Sequence, residues 1–332
     1  MCGGLLRIKI MGDLQQDRVL LPEKGVFIMV HGTAVLKSEY DGLGLSVLWV
    51  VPGEGSRGVV QISHGMSENK ERYLPFMEYL AKRGYICVIH DHRGHGKSVH
   101  SQNELGYLYG GSNKAMVEDL HQVTLWSKEM FPDLPVYLLG HSMGSLVARN
   151  YLKYFDNELE KLILTGPPCE NPAVNVGLFI AKTQKKHKGG LYPSKLLEAM
   201  SFGSFASRFA GEKSRFAWIC SDEEVVKEYE QSPLCGFTFT ADGFEGLLML
   251  LRETYSKEGW RLQNPELPIL FLGGADDPCI GNGRKFVKEL QHMRQVGYRH
   301  VTGKLYPGMR HEILNEKDKL TVYQNIYQYL EK

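Results

Sequence analysis

Ser142 lies in the stretch YLLGHSMGS, where an apolar run ends in Gly140-His141-Ser142-Met143-Gly144 and Leu146, Val147 and Ala148 then open a helical pattern. A hydroxyl between two glycines at a strand-to-helix junction marks a strained turn that lifts the serine clear of a sheet edge. The glycines are needed where a Cβ would meet neighbouring backbone. A helix starting at that point also aims N–H groups at whatever the serine attacks. Serine is a weak nucleophile until a base takes its proton, and the base needs an acid to fix its tautomer. Two later apolar runs end in such groups: FLGGADDPCI offers Asp276 and Asp277, and KLYPGMRHEIL offers His311. Asp276, the first acid past the strand's glycines, is the favoured acid, and Asp277 reads as a turn residue before Pro278. An oxyanion formed at the serine needs two backbone donors. The N–H of Met143 follows the nucleophile, and the loop after GVVQIS in GVVQISHGMSENKERY supplies that of Met66. A second His-Gly pair, His31-Gly32, precedes the first hairpin instead of following a core strand, so it is set aside.

Other constellations compete for attention. His90, His92 and His95 in HDHRGHGKSVH nearly spell a two-metal ligand run, but Gly94 stands where an aspartate belongs and no further ligand set is evident. No metal and no cofactor is therefore expected. The same stretch ends in GHGKS, yet Asp91 occupies the first glycine position of a P-loop. Ser67-Glu68-Asn69-Lys70 fits S-x-x-K, but its companion motifs are missing.

These residues require a scaffold that brings distant strand ends to one edge. Apolar runs at 58–63, 85–90, 136–140, 161–166, 268–273 and 301–306 alternate with helical spacing at 73–83, 113–130 and 145–155. Ala34 to Val51 reads as a hairpin. Strands alternating with helices imply an α/β fold, a mostly parallel sheet covered on both faces. From Pro167 to about Gln263 the alternation breaks, which predicts an inserted, mainly helical cap over residues 168–263. The core is then 33–167 and 264–332, with 1–32 as an N-terminal extension.

The chain has 332 residues and a net charge of +1, with no basic footprint for nucleic acid. No apolar run is long enough to span a bilayer, the start lacks a signal-peptide core, and six scattered cysteines read as free thiols. A cytoplasmic protein is the expectation.

The segments ISHGMSE, HDHRGHGKS, LLGHSMGS, GGADDP and YPGMRHE together resemble the α/β-hydrolase superfamily, in particular its monoglyceride lipase, lysophospholipase and serine aminopeptidase group. The resemblance runs from about Ala34 to the C-terminus. It implies Ser142 as nucleophile, Asp276 as acid, His311 as base and Met66 and Met143 as oxyanion donors. It also implies a structural role for HDHRGHGKS. Phe179, Phe202, Phe205, Trp218 and Phe239 lie in the cap and offer apolar surface for an acyl chain. A lipid-like monoester is accordingly the expected substrate, with transient contact of the cap with a membrane surface. An amidase or aminopeptidase is the main alternative, with Glu223, Glu224 or Glu228 binding the amine. A catalytically silent hydrolase-fold binding protein and a metallohydrolase are the others.

Overall fold

The computed structural model describes residues 29–332. β1 (Val30–Lys37) and β2 (Gly44–Val51) form the expected hairpin. β1 already contains His31 and Gly32, so the core begins slightly before residue 33. The rest of the expected extension, residues 1–28, lies outside the described residues. There follow β3 (Gly58–Ser63), α1 (Leu74–Ala81), β4 (Tyr85–His90), α2 (Ser112–Met130), β5 (Val136–His141), α3 (Met143–Phe155) and β6 (Lys161–Thr165). After a helical insert come β7 (Ile269–Gly274), α8 (Gly283–Val296), β8 (Val301–Tyr306) and α9 (Lys319–Glu331).

All eight strands share one sheet in the order β1-β2-β4-β3-β5-β6-β7-β8. β2 runs antiparallel to both neighbours, and every pair from β4 through β8 is parallel. Burial of both faces explains why β3 to β7 read as near-continuous apolar runs, whereas the edge strand β8 leaves Thr302, Gly303 and Lys304 exposed. Their alternate residues feed two different cores. Val59, Leu138, Leu162, Leu164 and Phe271 pack with Leu120 of α2, Leu146 of α3 and Phe286 of α8. Val60, Leu139, Ile163 and Leu272 pack with Phe76 and Leu80 of α1 and Ile326 of α9.

Between β6 and β7 the insert forms α4 (Val174–Lys188), α5 (Lys195–Arg208), α6 (Glu223–Gln231) and α7 (Ala241–Tyr255). Among the described residues its only β pairing is the single bridge Pro193–Thr240. α7 sinks Phe244 and Leu250 into the main core, whereas Ile219, Cys220, Val226 and Tyr229 form a small cluster of their own. The five cysteines among the described residues are unpaired. No helix among them is long and apolar enough to cross a membrane.

Candidate active site

Ser142 sits between β5 and α3 with φ +52° and ψ −117°, a conformation rare for a residue with a Cβ. The neighbouring glycines make this turn fit. A Cβ on Gly144 would lie 2.0 Å from the Ser63 carbonyl oxygen at the end of β3, and one on Gly140 would lie 2.6 Å from the Gly144 oxygen. Helix α3 can therefore start directly over the sheet edge. The Ser142 N–H donates to the Thr165 carbonyl at 2.9 Å, which ties the turn to the end of β6.

His311, on the loop after β8, places Nε2 2.8 Å from Ser142 Oγ and Nδ1 2.8 Å from Asp277 Oδ2. The carboxylate that meets His311 is thus that of Asp277, and not that of the expected Asp276. The reason is local. The Asp277 N–H turns back to the Gly274 carbonyl (3.2 Å), so the tight turn leaves Asp276 exposed and swings the next side chain inward. Asp277 is 1 % exposed, and its Oδ1 accepts from the Cys279 N–H at 2.7 Å, which fixes the carboxylate plane. Burial disfavours a charged His311, but Asp277, with help from Glu312 and Glu68, outweighs it and raises the imidazole pKa above its usual 6.5. His141, beside it, is pushed down to about 4 by burial and by His311, and its Nδ1 meets the Thr165 hydroxyl at 3.0 Å. It therefore stays neutral beside His311.

Met66 follows β3 and Met143 is the first residue of α3; both line the same cavity as Ser142 and His311. As the first helical residue, Met143 has no intrahelical acceptor for its N–H. A set of buried charges lies beneath this edge and was not read from the sequence. Glu68 Oε1 accepts from the Gly65 N–H (2.5 Å) and the Tyr73 hydroxyl (2.8 Å), and its other oxygen meets Arg72 at 2.7 Å. Arg72 also grips Glu312, the residue after His311, through two bonds of 2.7 and 2.6 Å. The visible signal was that Glu68 and Glu312 flank the Met66 and His311 motifs.

The cavity has a volume of about 550 Å³. Phe202, Phe205 and Trp218 line it, as expected, and the Trp218 ring centre lies 5.0 Å from that of His311. Two other expected contacts differ. Phe239 is fully buried in the main core against His95 and Phe244, and Phe179 is 72 % exposed on α4. Phe216, Phe237 and the α7 residues Leu247, Leu248 and Leu251 complete the apolar wall. Glu223, Glu224 and Glu228 are exposed on α6 and do not line the cavity.

The insert is fastened to the loop that carries His311. Arg310 Nη1 donates to the Ala217 carbonyl (2.5 Å), the Glu312 N–H to the Ile219 carbonyl (2.7 Å), and the Ser221 N–H to Glu316 (3.0 Å). The rival motifs are otherwise occupied. Lys70 is paired with buried Asp91 at 2.6 Å, Ser67 Oγ donates to the Phe237 carbonyl at 2.7 Å, and His31 lies on β1 beside Glu78 at 3.5 Å. The one grouping of three metal-ligand types among the described residues is Asp277, Cys279 and His311, where both imidazole nitrogens are engaged in hydrogen bonds.

Known proteins resemble this chain over most of its length. It is 31% identical over 282 residues to a monoglyceride lipase of Rattus norvegicus, covering 85% of this chain and 84% of that protein. It is 26% identical over 300 residues to a monoacylglycerol lipase of Mycolicibacterium smegmatis, covering 89% and 97%. Among solved structures, a thermostable carboxyl esterase from Bacillus coagulans, in complex with glycerol, superimposes with a TM-score of 0.84 at 27% identity, covering 91% of this chain and 98% of that one. The model of the family described as serine aminopeptidase S33 matches residues 54–318. The chain therefore belongs to the serine aminopeptidase S33 family and is a hydrolase of the α/β-hydrolase fold.

Proposed function

We propose that the protein is a serine ester hydrolase that cleaves lipid-like monoesters of the monoacylglycerol or lysophospholipid type through an acyl-enzyme. The observation that carries this reading is the unbroken relay Ser142 Oγ–His311–Asp277 opening into an apolar cavity. Asp277 holds His311 with Nδ1 protonated, so Nε2 takes the Ser142 proton as Oγ attacks the ester carbonyl. The Met66 and Met143 N–H groups receive the charge on the carbonyl oxygen. The imidazolium then protonates the leaving alcohol. Water, deprotonated by the same Nε2, releases the acid and restores the serine.

The substrate class rests on the cavity and on the lipase relatives. Phe202, Phe205, Trp218, Leu248 and Leu251 suit an acyl chain, and about 550 Å³ is ample for one of medium length. The insert serves as the cap in this reading. On α4 and α5 it exposes Val176, Phe179, Leu196 and Met200 beside Lys182, Lys186 and Lys195, an apolar and basic face suited to an anionic membrane surface. The decisive experiment is fluorophosphonate labelling of the wild type and Ser142→Ala, followed by a chain-length series of monoacylglycerols against aminoacyl-anilides. Loss of label with Ser142→Ala and a preference for monoesters support the proposal. Retained label, or faster turnover of the anilides, refutes it.

A further inference from the structure

The HDHRGHGKS segment brings His95 into a group of fully buried imidazoles that the relay does not use. Ring centres of His64 and His92 are 4.6 Å apart, those of His64 and His95 5.2 Å, and those of His90 and His92 4.7 Å. Their hydrogen bonds define their tautomers. The Ser67 N–H donates to His95 Nε2 at 3.2 Å, so Nε2 is bare and Nδ1–H donates to the Arg93 carbonyl at 3.0 Å. Likewise the His92 N–H donates to His64 Nε2 (2.9 Å), which leaves His64 Nδ1–H to donate to the Gly65 carbonyl (2.8 Å).

These bonds surround one peptide. The Gly65 N–H is held by Glu68, the Gly65 carbonyl by His64, and the Ser67 N–H by His95. The Ser67 carbonyl accepts from the Gly236 N–H at 2.9 Å, and Ser67 Oγ donates to the Phe237 carbonyl. Between them, the Met66 N–H has no acceptor among the described residues. Ser67 itself has φ +54°, a strained value for serine that persists only if its surroundings hold it. Burial and neighbouring imidazoles push His95 down to about 3, so it remains an acceptor at any working pH.

We propose that His95 and Glu68 are positioning residues that clamp the Gly65–Ser67 loop, holding the Met66 N–H at the place where the oxyanion forms. The proposal rests on the reading of Met66 as an oxyanion donor. His95 touches no reacting atom and acts through the Ser67 peptide. Its value lies in one lone pair, not in its shape alone.

The test compares His95→Phe, which keeps the bulk and loses the acceptor, with His95→Gln, whose amide oxygen can replace Nε2. Rates are measured on a medium-chain p-nitrophenyl ester and expressed per site titrated by fluorophosphonate, alongside Ser142→Ala. The clamp predicts that His95→Phe lowers kcat about 10²-fold, the size of a lost oxyanion donor, with KM within about twofold. An alkylboronic acid, which forms a tetrahedral adduct on the serine, should bind more weakly in step. His95→Gln should recover to within about fivefold of wild type. A kcat for His95→Phe within about threefold of wild type, or a Gln variant as slow as the Phe variant, overturns the clamp while the ester-hydrolase reading stands. Full activity in Ser142→Ala overturns both. Should His95→Phe fail to fold, Glu68→Met, which keeps the length and loses the acceptor for the Gly65 N–H, decides: a kcat about tenfold lower at unchanged KM supports the clamp, and an unchanged kcat overturns it.

Discussion

Replacing Asp277 by Asn tests the relay at its least obvious member. The carboxylate uses one oxygen on the Cys279 N–H at 2.7 Å and the other on His311 Nδ1 at 2.8 Å. Asn can match only one of these acceptor roles. With its oxygen on Cys279, the amide NH2 faces Nδ1 and forces the proton of a neutral imidazole onto Nε2, where it blocks proton removal from Ser142. With the amide flipped, NH2 meets the Cys279 N–H, and two donors confront each other at a site that is 1 % exposed. Either way the productive tautomer is lost, and a kcat reduction of about 10⁴ is expected, equivalent to about 5.4 kcal/mol of transition-state stabilisation. Asp276→Asn, at an exposed position on the same turn, should stay within about twofold. The assay is kcat and KM on a p-nitrophenyl ester at pH 8, with thermal unfolding to show both variants are folded. A loss below about tenfold for Asp277→Asn, or a larger loss for Asp276→Asn, would refute the assignment.

Three further outcomes follow from the same geometry. His311 must be neutral to act as a base and its pKa is raised, so kcat/KM should rise with pH through a limb centred above 6.5; a midpoint below 6.5 would contradict the Asp277 contact. Gly144→Ala puts a Cβ 2.0 Å from the Ser63 oxygen, so it should cost about 1–3 kcal/mol in denaturant unfolding and abolish fluorophosphonate labelling, and normal labelling would show that α3 can yield. Phe239→Ala should cost about 3–5 kcal/mol of stability, whereas Phe202→Ala should alter acyl-chain preference with little change in unfolding; chain-length profiles and melting curves separate the two.

What is legible in the chain is set by the range of the forces involved. β3 and β4 begin and end where their apolar runs do, because each strand's burial on the sheet depends on its own side chains. Ser142 and His311 were legible because each follows a strand end at the same edge. Asp277 was not. Two adjacent acids share a composition, and the choice depends on one turn hydrogen bond, from Asp277 N–H to the Gly274 carbonyl. Phe239 and Phe202 looked alike for a similar reason. Only the tertiary packing sends one against His95 and the other into the cavity. The Glu68–Arg72–Glu312 bridge joins residues 240 positions apart, a distance across which no periodicity speaks.

The bonds from 217–221 to the loop bearing His311 divide the insert into two halves with different freedom. A swing of the anchored half would drag His311 out of line with Ser142, so opening and closing by a rigid door there would break the proposed relay each time. The half from 174 to 208 carries no such tether to the base, and Phe202 and Phe205 project from it into the cavity. On the proposed ester-hydrolase reading, substitutions on the cavity side of those helices, at Phe202 and Phe205, are therefore expected to change acyl preference while Ser142, His311 and Asp277 stay in register.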